Sequence, residues 1–223
     1  MPPGHPKTPP PSDPDTPADG RFADLRMLRR YKEGALGYFE RRADVKFIIE
    51  AASGKLVLPV EPGFAKATSG AEFLLFLPTE SDWVMHLALE PALIERPESE
   101  ESCDRWRGHH GQPTGNHWIR CAISGGKTES SVFDGESVQV PNALGRAEYP
   151  LIRYANADRA LLSAACKKHG AMLVADPQCV GVDPFGIDVK ARFGILRIEF
   201  PPGIVADTPD LAQREIDRLF GKV

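Results

Sequence analysis

The chain has 223 residues and a formal net charge of −4, from 27 basic and 31 acidic side chains. That balance creates no global field to gather nucleic acid or anionic lipid, so neither partner is expected. No apolar run approaches the roughly 18 residues of a membrane span, and the N-terminus lacks the hydrophobic core of a secretion signal, so a cytoplasmic protein is expected. Cys103, Cys121, Cys166 and Cys179 form no C-x-x-C pair, which argues for reduced, buried thiols over a zinc knuckle or a disulfide scaffold.

Eight of the first twenty residues are proline, so residues 1–20 are expected to form a disordered tail. From Phe22 to Phe39 the residues Phe22, Leu25, Leu28, Leu36 and Phe39 share one side of a helical wheel. Gly34 and Gly37 weaken the second half of that helix. Its arginines and Lys32 could meet an acidic partner or form a solvated face.

Strand patterns follow. Asp44 to Glu50 and Lys55 to Val60 flank a small, turn-prone stretch, and Glu72 to Leu77 and Trp83 to Leu89 flank a polar one, predicting two hairpins. A charged stretch from Arg96 to His110 suits a short exposed helix with Pro97 in its first turn and Gly111 as its stop. His117 to Ile123 and Glu129 to Phe133 read as strands around a Ser124-Gly125-Gly126-Lys127 turn, and Glu136 to Val140 could add another. So many short strands with regular turns predict a small barrel or sandwich.

Pro141 to Pro150 reads as a linker, after which Asn156 can cap a helix carrying Leu161, Leu162, Ala165 and Cys166, closed by Gly170. Asp183-Pro184 and Gly186 write out one reversal, and Arg192-Phe193-Gly194 a second. Leu196, Ile198 and Phe200 then alternate with Ile195, Arg197 and Glu199, one face buried, until Pro201-Pro202 ends the ladder. Thr208-Pro209-Asp210 opens a last helix with the stripe Ala212, Ile216, Leu219 and Phe220.

The order Gly181-Val182-Asp183-Pro184-Phe185-Gly186-Ile187-Asp188, then the Leu196 to Phe200 strand and a capped terminal helix, resembles the small C-terminal domain of HugZ-type haem-utilisation proteins. The resemblance implies an α+β protein: a split β-barrel of the FMN-binding type, as in pyridoxamine phosphate oxidases, over 21–145, and a small domain of helix, β-ribbon and helix over 146–223. It also implies a homodimer, with haem or FMN at the dimer interface and redox chemistry. The pattern departs from the family in two places. Where members carry His-Met-Asn-x-Asp-His, this chain has Tyr154-Ala155-Asn156-Ala157-Asp158-Arg159, and the C-terminal iron-ligating histidine has no counterpart after His169. The segment matching the flavin phosphate site, Leu77 to Trp83, holds Glu80 and Asp82, which would repel a dianion.

Among the residues themselves, His86 could ligate haem iron or be a satisfied core or rim histidine. His109, His110 and His117 form the densest imidazole group, though neighbours at i and i+1 point apart on a regular element. Arg120 could hold a propionate or phosphate by a forked contact, or pair with nearby acids. Two readings stand: a haem- or flavin-binding split-barrel protein acting in redox or haem metabolism, and a non-catalytic binding or regulatory module that kept the fold and lost the cofactor site. No catalytic residue is assigned, and no metal site beyond haem iron.

Overall fold

The computed structural model describes residues 22–170 and 174–222, so the expectation of a disordered tail over 1–20 lies outside the described residues. The predicted first helix is cut short. Helix α1 spans Ala23–Arg30, and after an extended Tyr31 the chain enters strand β1, Glu33–Tyr38. The reason is tertiary: a Cβ on Gly34 would stand 2.5 Å from the Phe76 carbonyl oxygen, so this glycine lets a neighbouring strand pass close.

Strands β2 (Arg41–Lys46), β3 (Ile48–Ile49), β4 (Leu56–Val60), β5 (Phe73–Leu77), β6 (Met85–Ile94), β7 (His117–Thr128) and β8 (Val132–Asp134) complete one antiparallel sheet. Its order is β2-β1-β5-β6-β7-β4-β3, with β8 on β7, and helix α2 (Pro62–Ala65) follows β4. The two ends of this path, β2 and β3, are separated in sequence by Phe47 alone, so the sheet must curl until its edges meet. Closure hides the edges and buries Phe47, Phe73, Leu75, Met85 and Leu87 inside. Each such side chain contributes about 1.5–3 kcal/mol on leaving water. The α+β fold with a split-barrel sheet is therefore present as expected.

Three sequence expectations change in this sheet. Ser124 to Lys127 is strand, not turn: the register slips between Ala88 and Leu89, leaving Ser124 as a bulge whose hydroxyl donates to the Ala88 carbonyl at 3.1 Å. Glycine is needed there because a Cβ on Gly126 would meet the Phe133 ring and the His86 carbonyl, each at 2.7 Å. The segment after Asp134 is not a strand but helix α4, Gly135–Val138. The charged helix, α3, runs Glu101–His110, starting later than Pro97, and Gly111 ends it at φ 87°. Nor is α3 simply exposed, since Cys103, Trp106 and His109 are buried and the Trp106 indole N–H donates to the Lys46 carbonyl at 2.8 Å.

The end of the expected linker is already helical, since helix α5 spans Glu148–Asn156; Pro150 sits in its first turn, where no intrahelical donor is lost. Helix α6, Arg159–His169, is capped by Asp158, which accepts from the Leu161 N–H at 2.9 Å. Asn156 is committed elsewhere, bonding both the N–H and the carbonyl of Cys179. Strands β9 (Gln178–Asp183), β10 (Gly186–Ala191) and β11 (Gly194–Glu199) make the three-stranded meander the turn residues predict. Helix α7, Pro209–Leu219, is capped by Thr208 as expected, and its stripe is buried with Ile187, Val189 and Ile198 in a core of its own.

Candidate functional site

The buried face of the meander explains half of it; the other face carries charge. Asp183 ends β9, Asp188 lies in β10 and Arg197 in β11, all turned toward the barrel. The Arg197 side chain is only 6% exposed and donates to Asp183 at 2.6 Å and Asp188 at 3.1 Å. The barrel side supplies the matching cations. Lys32, between α1 and β1, sits 3.2 Å from Asp188, and Arg105 of α3 makes a forked pair with Glu148 of α5. These charges can be buried because nearly every one is matched within hydrogen-bond reach.

Helix α1 completes the junction. Arg26 donates to the Phe200 and Ile204 carbonyls, Arg29 to Val140, and Arg30 grips the Glu199 carboxylate. The arginines of this helix are thus engaged within the chain, although Arg30 remains half exposed. They clamp the barrel to the meander.

Burial raises the cost of charge on Asp183 and Asp188, but Arg197 for the first, and Lys32 and then Arg197 for the second, outweigh it and hold both carboxyls below the usual range. His109, at the end of α3, is pulled down to about 4, chiefly by burial and then by Arg105. Its Nδ1 lies 2.9 Å from the Arg105 carbonyl, which can only accept, so Nδ1 carries the proton of a neutral ring. Beside this cluster a cleft of about 710 Å³ opens between the β3–β4 turn, α3 and the Pro141–Arg146 segment; Glu50, Glu100, Ser102, Arg105, Asn142 and Arg146 line it.

The other candidate residues scatter. His110 is also pulled down to about 4 by burial, and its Nε2 donates to the Phe47 carbonyl at 3.0 Å. His117 is exposed at the start of β7, opposite Val60, whereas His86 pairs with Lys127 at the far end of the same strand. At about 3.4 Å per residue those two imidazoles stand roughly 30 Å apart. Arg120 is held by Glu50 at 3.0 Å and Glu100 at 2.7 Å. Among the described residues no group of three or more His, Cys, Asp or Glu side chains is placed to hold a metal ion.

His86 differs from the others in its surroundings. It points to the outer face of the barrel, opposite in sense to Met85 and Leu87, and its Nδ1 is buried without a hydrogen-bond partner. The Trp83 ring lies 4.8 Å away at an angle of 31°, and Phe76 meets it edge-on at 5.7 Å. Burial, and then Lys127, depress its pKa, so the ring is neutral. Next to this face, across the Phe76–Ala35 pair, lies a recess of about 570 Å³ formed with the Thr79–Ser81 turn. Its arginine, Arg42, is already chelated by both oxygens of Glu80 at 2.9 Å.

The sequence singled out the histidines but passed over Arg29, Asp183, Asp188, Glu148 and Arg197 as a group. The available signal was the placement of Asp188 and Arg197 at apolar-strand positions with no adjacent partner.

No protein-family description matches the chain, and no curated protein matches it in sequence. Among solved structures, the protein Atu2129, of unknown function, from Agrobacterium tumefaciens superposes with a TM-score of 0.70 at 15% identity, over 96% of this chain and all of that one. A heme binding protein from Mycobacterium smegmatis gives 0.43 at 15% identity, over 91% of this chain and 96% of the other. The first likeness is one of fold, shared along nearly the whole length of both chains.

Proposed function

We propose that this chain is a haem-utilisation-type binding protein that takes haem, or a comparable planar ring, on the outer barrel face around His86, at the contact between two copies. The observation that supports this reading is the neutral His86 ring, with a buried, unpartnered nitrogen and Trp83 tilted over it. A neutral imidazole is a ready ligand for haem iron, and an aromatic neighbour suits a flat macrocycle. Bound haem would supply iron-centred redox chemistry, while the chain positions the ring and sets its electrostatics.

The outer face beside His86 is low and apolar. Ala35 and Gly37 of β1, Leu74 and Phe76 of β5 and Ala88 of β6 lie side by side on it, which fits burial against a second copy. FMN fits the recess poorly, because its phosphate would have to displace Glu80 from Arg42 and lie beside Asp44. The reading includes a cytoplasmic location and a division into a barrel domain over 21–145 and an α+β domain over 146–223.

A second reading, a cofactor-free binding or regulatory module, is favoured by the Arg42–Glu80 pair and by Tyr154 and Arg159 standing where the family pattern has histidines. Titration of the full chain with haemin and with FMN, followed in the visible, separates the two. The first reading expects a saturable Soret shift with haemin, lost in His86→Ala and kept in His117→Ala, and no flavin uptake. A protein giving no saturable change with either ligand would leave the cofactor-free module in its place.

A further inference from the structure

The β10–β11 hairpin ends in a bare tip. Arg192 and Phe193 form a two-residue loop between Ala191 and Gly194, the last pair of the ladder, and a Cβ on Gly194 would meet no other part of the chain within 4 Å. Phe193 is 87% exposed, more than any other large apolar side chain among the described residues, and Ile195 and Leu196 lie half-buried behind it. Cations flank the ring. The Arg192 guanidinium lies 5.6 Å from its centre. Helix α6 comes up against the stem, where a Cβ on Gly170 would touch the Leu196 side chain at 2.7 Å, and its last turn carries the exposed Lys167, Lys168 and His169. Leu196 is three residues from Phe193, so at about 3.4 Å per residue the helix end stands roughly 10 Å from the ring, about one Debye length in moderate salt. On the other side Lys190 donates to the Gly108 carbonyl at 2.7 Å and braces the hairpin on α3. Arg192, Lys167 and Lys168 have no carboxylate partner among the described residues, whereas Asp176 before β9 and Glu199 at the end of β11 answer Arg159 and Arg30.

We propose that this tip is a docking site for an anionic lipid surface, with Phe193 entering the headgroup layer and Arg192, Lys167 and Lys168 meeting the lipid phosphates. The net charge of −4 speaks only to the field of the whole chain, while a local cluster acts within a Debye length of itself. Shape selects lipid over the other polyanions. A convex tip one ring deep suits entry into a soft interface, and it offers neither a groove to hold a peptide nor a series of rings on which successive bases could stack. Each lysine or arginine beside an anionic leaflet raises partitioning about fivefold, so three supply about a hundredfold, and burial of the ring adds about tenfold. The tip belongs to the meander and His86 to the barrel, so this docking stands apart from the haem reading.

Co-sedimentation of the full chain at low salt tests this, with vesicles of phosphatidylcholine alone and of phosphatidylcholine carrying about one-third phosphatidylglycerol. Binding is expected to the anionic vesicles only, and it should weaken as salt rises. It should fall about tenfold in Phe193→Ser and about 25-fold in the double variant Lys167→Gln with Lys168→Gln. These side chains are exposed, so the variants keep the fold, and an unchanged thermal midpoint checks that. Phe39→Ser, at the exposed β1–β2 turn beside Glu40, should bind as the native chain does. No binding to the anionic vesicles, binding indifferent to Phe193, or uptake of a single-stranded oligonucleotide in place of vesicles would overturn the proposal.

Discussion

Replacing Asp188 by asparagine removes one negative charge from the centre of the junction while keeping the side-chain shape. In the native protein Asp188 lies 3.2 Å from Lys32 and 3.1 Å from Arg197, and all three side chains are less than a tenth exposed. The change takes away the carboxylate that Lys32 and Arg197 share, and it turns an amide N–H₂ toward one of the two cations. Breaking a buried pair in this way costs about 3–5 kcal/mol. For a chain of this size about 1 kcal/mol moves the midpoint by 2–4 °C, so a fall of about 6–20 °C is expected. Urea unfolding at neutral pH measures the loss directly, with an unchanged slope showing that both states keep their compactness. The double variant Lys32→Met with Asp188→Asn removes the orphaned ammonium and should recover a large part of that loss. The sign with pH is fixed by the depressed carboxyl: its contribution is present above the ordinary carboxylate range and is lost as pH falls through the folded value. The substitution should therefore flatten the acid limb of the stability profile. A cost under about 1 kcal/mol, or no recovery in the double variant, would refute the view that this pairing holds the barrel and meander together.

Other expectations follow from single features. His109, pulled down to about 4, stays neutral in the fold while the unfolded ring charges near 6.5. Stability is thus full above about pH 6.5 and declines toward pH 4, and His109→Gln should flatten that decline in urea midpoints taken across the range. Gly186→Ala would bring a Cβ to 2.3 Å from the Ile198 carbonyl, forcing β11 away at a cost of about 1–3 kcal/mol in a denaturant melt. Cys121 and Cys179 are pushed up to about 12 and Cys103 to about 11, all by burial, and Cys166 is also buried. Mass spectrometry after brief iodoacetamide treatment should find the native chain unmodified and all four thiols alkylated in denaturant.

What could be read from the residues in order was whatever is governed by near neighbours. The two reversals of the meander are written in Asp183-Pro184-Phe185-Gly186 and Arg192-Phe193-Gly194, because turn geometry is a property of two or three consecutive residues. The start of α7 is written in Thr208-Pro209-Asp210 for the same reason. Local reading failed where a distant strand set the conformation. Gly34 looks like a flaw in a helix until β5 is seen passing beside it, and Gly125-Gly126 looks like a turn until the bulge opposite Ala88 and the Phe133 ring are in place.

The same division holds for the site. The imidazoles could be picked out by residue type, yet only the folded chain separates His86, with its buried, unpartnered nitrogen and aromatic neighbours, from His109 and His110, tied to carbonyls. By itself the sequence determined the meander with its two turns and the capped start of α7, consequences of local periodicity and backbone preference. Tertiary structure alone decided that Arg29 of α1 is buried and that Asp183, Asp188 and Arg197 meet Lys32 and Arg29 across more than 150 positions of chain. A charged side chain finds its partner through space, and the low dielectric of the junction is what gives that meeting its energy.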